Sequence, residues 1–217
     1  MKDTTIDIDE LFEEFNKIDD SDNIALIDFV EKHFDFLINF KTDDIYIIED
    51  IASIFNDYYG TLGICNRWTQ IVLKRKPIID FIKQLEGKST KFGQHIYDIE
   101  YVFATTQTDS GKNLKAAIQS LKTINEMFPK DEDIVLELRK TKFFHRQKTY
   151  QRVFILGLIV VFGTMILRLV YDSKELEIMS LVIWAFFILL ILIKQIDNYK
   201  SKKSPAANRI ARPASKH

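Results

Sequence analysis

Val153–Tyr171 reads VFILGLIVVFGTMILRLVY, and Ile178–Ile193 reads IMSLVIWAFFILLILI. At about 1.5 Å per residue, the first block makes a helix roughly 28 Å long, close to the hydrocarbon thickness of a bilayer. Between the blocks lies Asp172–Glu177 (DSKELE), polar and carrying four charges. Two such helices joined by a short charged turn are hard to bury in a chain of 217 residues. The pattern predicts a two-helix transmembrane hairpin: spans at 153–171 and 178–193, with a non-cytosolic turn at 172–177. Arg168 falls about one turn from the outer end of the first span. Its long stem is expected to carry the charge to the headgroups, or else to pair with Glu175 or Glu177. Trp184 falls mid-span and is expected to pack on the other helix or on a neighbouring subunit, which leaves a homo-oligomer through the hairpin open.

The flanks set an orientation. Arg139, Lys140, Lys142, Arg146, Lys148 and Arg152 precede the first span, and Lys194, Lys200, Lys202 and Lys203 follow the second. Basic flanks stay on the cytoplasmic side, so both termini are expected there. The expected divisions are a helical domain at 1–138, a basic juxtamembrane helix at 139–152, the hairpin, and a disordered basic tail at 194–217. Anionic lipid is the expected partner of the flanking cations named above. The start, MKDTTIDIDE, is acidic and lacks the apolar stretch of a secretion signal. The lone cysteine, Cys65, excludes an intramolecular disulfide and fits a reducing compartment.

The net charge of −1 hides a gradient. Residues 1–60 hold seventeen acidic and four basic side chains, whereas 61–152 hold ten acidic and seventeen basic. The tail from Lys194 holds seven basic and one acidic. An anionic leaflet attracts the basic segments and repels the acidic lobe. Glu10, Glu13, Glu14, Asp19 and Asp20 are therefore the candidate face for an unidentified cytosolic protein.

Residues 1–150 carry helical period almost throughout. Apolar stripes at i, i+3, i+4 and i+7 include Ile8, Leu11, Phe12, Phe15, then Ile27, Val30, Phe34, Leu37, and onward to Leu114, Ala117, Leu121, Ile124. Cap residues at Ser21–Asn23 and Thr42–Asp44 precede two of the helices. Gly60 is expected to follow the third helix, and Pro77 to open a fifth. Gly87–Thr90 and Thr108–Gly111 are expected loops, and Pro129 ends the seventh helix. The eighth starts near Glu132 with acid in its first turn and meets no breaker before the first span. The spacing predicts an all-α chain: an antiparallel helical bundle or repeat-like stack followed by the hairpin.

One pair of helices adds a resemblance. Lys112–Lys130 (KNLKAAIQSLKTINEMFPK) resembles the second helix of a tetratricopeptide repeat, with Ala117, Leu121, Ile124 and Pro129 at its small, apolar and closing positions. Tyr101 and Ala104 fit the preceding helix, while Thr105 and Thr108 depart from it, and no second copy recurs at that period. What the resemblance implies is a protein-binding groove without enzymatic activity.

Sites for chemistry are sparse. Asp20, Asp22, Asp28 and Glu31 occupy four places of an EF-hand loop, but Ile24 and Ala25 replace the required oxygen ligand and glycine, so a helix start is expected instead. Arg139 and His145 form an R-x5-H pair similar to the short motif of HEPN ribonucleases. That resemblance implies an arginine on phosphate and a histidine moving a proton. Both residues also lie in the basic juxtamembrane run, and interfacial positions are the competing reading. His33 and His95 lack partners at metal-ligand spacing. Lys74–Lys76 (KRK) is short and lacks interleaved aromatics, so no nucleic acid is expected; it reads as a solvated loop or a lipid contact. No cofactor, metal or catalytic set is expected. The expected function is a membrane-anchored helical adaptor; the alternatives are a two-span membrane effector governed by its helical domain, and a HEPN-like ribonuclease.

Overall fold

The computed structural model describes residues 7–19, 21–171 and 174–202, and every described regular element is helical. In order these are α1 (Ile8–Phe15), α2 (Asn23–Asn39), α3 (Ile45–Ile64), α4 (Trp68–Ile82) with a 3-10 turn at Lys83–Leu85, α5 (Phe92–Ser110), α6 (Leu114–Met127), α7 (Glu132–Val170) and α8 (Lys174–Lys202). The chain divides into two compact units at Thr141–Lys142, three residues past the expected boundary.

In the first unit, side-chain oxygens start the helices. Asp7, Asp22, Asp44 and Asn113 each accept a backbone N–H at the start of α1, α2, α3 and α6. Asp131 does the same for α7, taking the N–H groups of Asp133 and Ile134. Asp22 thus serves as a cap, as expected of a helix start, and Asp20 lies outside the described residues. The main core gathers Leu11, Val30, Leu37, Ile51, Phe55, Tyr58, Leu62, Ile78 and Ile99, among others, from α1 through α5. A smaller cluster joins Ala104, Ala117, Leu121, Ile124 and Ile134 across α5, α6 and the start of α7. Ala117, Leu121 and Ile124 thereby take the inward places that their spacing predicts, and Pro129 follows the end of α6.

Three expectations are corrected. Gly60 does not end the third helix. Tyr58, Tyr59, Thr61 and Leu62 around it are all buried, and their packing outweighs the roughly 1 kcal/mol cost of a helical glycine. The stop comes at Asn66, in the left-handed region at φ 55°, where the Arg67 N–H donates to Leu62 O and the Asn66 N–H to Gly63 O. Pro77 does not open a helix either; it lies inside α4. Its missing N–H would have served the carbonyl of Leu73, a residue 67% exposed, so water can take that acceptor. Finally, Thr108 belongs to α5, which closes only at Gly111 (φ 61°). Its buried hydroxyl lies 3.0 Å from that of Thr141 and 2.8 Å from the Ala104 carbonyl.

In the second unit, the Phe187 ring of α8 stacks on Phe154 of α7, with centroids 4.8 Å apart. It also covers Gly157, where an added Cβ would fall 2.9 Å from that ring. Trp184 meets Phe187 edge-on within α8 and is 43% exposed. Ile155, Leu156, Ile159, Phe162, Ile166, Leu181 and Val182 are all exposed. Among the described residues, one helix is long and apolar enough to cross a membrane, and 6% of its apolar window is buried. The apolar part of α8, Ile178–Ile193, is shorter.

Candidate functional site

The acidic candidates stand on the outer side of α1 and just beyond it. Leu11 is buried and Ile8, Phe12 and Phe15 pack on the core, which turns Glu10, Glu13 and Glu14 to solvent; Asp19 is also exposed. Asp20 is outside the described residues. The basic candidates 139–152 all fall on α7. Arg139, Arg146 and Arg152 are exposed, and Lys142 and Lys148 half-buried. Lys140 pairs with Glu137 one turn away at 3.2 Å. Lys200 and Lys202 lie at the end of α8, and Lys203 lies outside the described residues. Arg139 and His145 share α7, exposed and half-buried respectively. Six helical residues advance about 9 Å and leave two side chains about 120° apart, so α7 does not bring the pair to one point.

The polar groups that the fold does bring together come from elsewhere. Arg75 of α4 grips the buried Glu100 of α5: its Nη2 lies 2.6 Å and 2.7 Å from the two carboxylate oxygens and its Nε 3.1 Å from one of them. The same Nη2 reaches Ser120 of α6 at 3.2 Å, and the guanidinium lies 4.3 Å from the Phe103 ring centroid. Lys74 pairs with Glu31 at 3.0 Å and sits over Phe34, while the Tyr58 hydroxyl donates to Glu31. The KRK run is therefore helix, not loop. Its first two residues are interhelix clamps, and Lys76 alone is exposed. The Tyr59 hydroxyl donates to the Ile71 carbonyl at 2.7 Å, and burial pushes the Tyr58 and Tyr59 phenols up.

A second seam runs between α3 and α5. Asn56 Nδ2 lies 2.7 Å from His95 Nδ1 and 3.3 Å from Asp98 Oδ2, and Gln94 donates to the other Asp98 oxygen at 2.8 Å. Seven residues before Asn56, Glu49 accepts from Ser89 and pairs with Lys91 at 3.0 Å. Burial holds the His95 imidazole below its ordinary pKa, and raises the Asp98 carboxyl. Among the described residues, His95 Nε2 and Asn56 Oδ1 are buried without a hydrogen-bond partner, as are both ring nitrogens of His33. Among the described residues, no three His, Cys, Asp or Glu side chains gather as a metal would require. The seam holds two helices together and keeps a neutral histidine between them. The Arg75–Glu100, Arg75–Ser120 and Asn56–His95 pairs join residues 25 to 45 positions apart, so periodicity along one helix carries no signal for them.

In comparisons with protein-family models, curated proteins and solved structures, nothing matches the chain.

Proposed function

We propose that this chain is a membrane-anchored helical adaptor. In this reading α7 and α8 form a two-span hairpin with both termini cytosolic, and the first unit displays a protein-binding surface at the membrane. The observation that carries it is a contrast within one chain. The first unit closes its own core around α1–α6, whereas the apolar window of α7 has 6% of its residues buried and leaves its aliphatic side chains outward. Exposed aliphatic surface of that length is stable only against lipid or another apolar body. Passive anchoring is favoured over a pore by the scarcity of polar side chains in the spans, which offer little beyond Thr164, Ser180 and Arg168; the Thr164 hydroxyl donates its proton to the Val161 carbonyl of its own helix at 2.8 Å.

Three experiments test the proposal. Alkaline carbonate washing of membranes should leave the full-length chain in the pellet; release into the wash refutes the anchor. Capture of partners from detergent-solubilised membranes should weaken when Glu10, Glu13, Glu14 and Asp19 are together changed to Lys, because these four carboxylates are exposed together on and just beyond α1. Undiminished capture removes α1 from the proposed surface. Depolarisation of vesicles by the reconstituted chain, dependent on α7 and α8, would favour the effector instead.

A further inference from the structure

The outer face of α4 points to a second membrane contact, on the first unit itself. Of the six large apolar side chains exposed on that unit among the described residues, three lie within ten positions at the α3–α4 corner: Ile64 (70% exposed), Val72 (52%) and Leu73 (67%). Helical geometry puts Val72, Leu73 and Lys76 within about 100° of arc, opposite the buried Ile71, Ile78 and Ile82. Lys76 is exposed on that arc and Arg67 is exposed at the N-terminal end of α4, and neither has a carboxylate partner among the described residues. The next acid on this face, Asp80, is taken by Lys83 at 3.1 Å. Exposed aliphatics flanked by unpaired cations, with a half-buried tryptophan (Trp68) at the edge, make an interfacial lipid-binding pattern.

We infer that the α3–α4 corner, through Ile64, Val72, Leu73, Arg67 and Lys76, docks peripherally on an anionic bilayer surface. The charge selects the occupant. Each cation near an anionic surface favours binding about fivefold, while a soluble partner protein would have to supply both an apolar patch and acid. The inference rests on the adaptor reading only for the nearness of a bilayer.

Trp68 is the probe. With Trp184→Phe it becomes the chain's single tryptophan. The full-length chain is reconstituted in phosphatidylcholine vesicles with or without about 30% phosphatidylserine, a fraction of headgroups bearing a nitroxide quencher. Quenching of Trp68 should be at least about twofold stronger in the anionic vesicles, and should fall to the zwitterionic level with Arg67→Glu plus Lys76→Glu, with Leu73→Asp, or at high salt. Equal quenching in both vesicles, or no response to these variants, overturns the inference. So does efficient disulfide cross-linking between copies through Leu73→Cys in a Cys65→Ser background, which assigns the face to a second copy. Carbonate extraction reads the anchor separately. Should the anchor fail, vesicles added to the unreconstituted chain read the same Trp68 signal.

Discussion

Glu100 is a carboxylate 5% exposed, and one residue, Arg75, makes that tolerable. Arg75→Met removes the cation and leaves Glu100 buried and unpaired, a loss of about 3–5 kcal/mol. Arg75→Lys should recover only part, because an ammonium cannot reproduce the two-pronged grip or the stacking on Phe103. Pairing Arg75→Met with Glu100→Gln should be milder than Arg75→Met alone. Urea unfolding followed by Trp68 emission, in the Trp184→Phe background, measures all three. A second residue-scale expectation concerns acid. Burial holds His33 and His95 below the ordinary value of about 6.5. The unfolded chain therefore takes up protons that the folded chain refuses. Stability is full above about pH 6.5 and is lost as pH falls through that value toward the depressed folded pKa. Asp98, raised by burial, works the other way: ionised, it costs stability, and protonation in more acid solution recovers it. Thermal unfolding at about pH 7.5 and about pH 5.5 should show a lower midpoint in acid. Changing both histidines to Gln should remove most of that difference.

Helix ends are where reading and structure part. The start of α7, running from Glu132 without a breaker, was legible because no proline or glycine interrupts Asp131–Arg152. The α3–α4 corner was not legible, since its stop is an asparagine and its glycine and proline sit inside helices. Asn66→Gly should therefore be neutral or stabilising by a few tenths of a kcal/mol, and Asn66→Ala destabilising by about 1 kcal/mol. Gly111→Ala, at φ 61°, should cost a similar amount. The same urea series reads each variant. In the second unit, Gly157 and Gly163 look alike in sequence and differ in surroundings. A Cβ at Gly157 meets the Phe187 ring, and one at Gly163 meets nothing within 4 Å. In a Trp68→Phe chain, Trp184 emission should shift with Gly157→Ala, which disturbs the neighbouring Phe187, and stay unchanged with Gly163→Ala.

At the scale of the molecule, the charge gradient is the property with a consequence. If the chain is anchored as proposed, net acid in residues 1–60 and net base in 61–152 and the tail should make its association with anionic lipid depend on salt and on the basic segments. Replacing Arg139, Lys142, Arg146 and Arg152 by Gln should leave carbonate-resistant insertion intact, because insertion draws on the apolar window. The same change should raise the fraction of chains with inverted orientation, because the basic flank sets sidedness. Protease protection of an N-terminal tag in sealed vesicles measures that fraction. Unaltered protection would show that residues 139–152 do not set orientation.

The all-helical character followed from spacing alone. Stripes such as Ile8, Leu11, Phe12 and Phe15 fix which side of a helix is apolar, whatever that side later meets, and the apolar block before Asp172 declares itself by length. What those stripes pack against is a matter of three dimensions. Arg75 found Glu100 and Ser120, His95 found Asn56, and two of three adjacent cations turned inward while Lys76 stayed out. Local periodicity selects a face, but only the packed helices bring together side chains dozens of residues apart, where loss of water makes an ion pair or a neutral histidine matter.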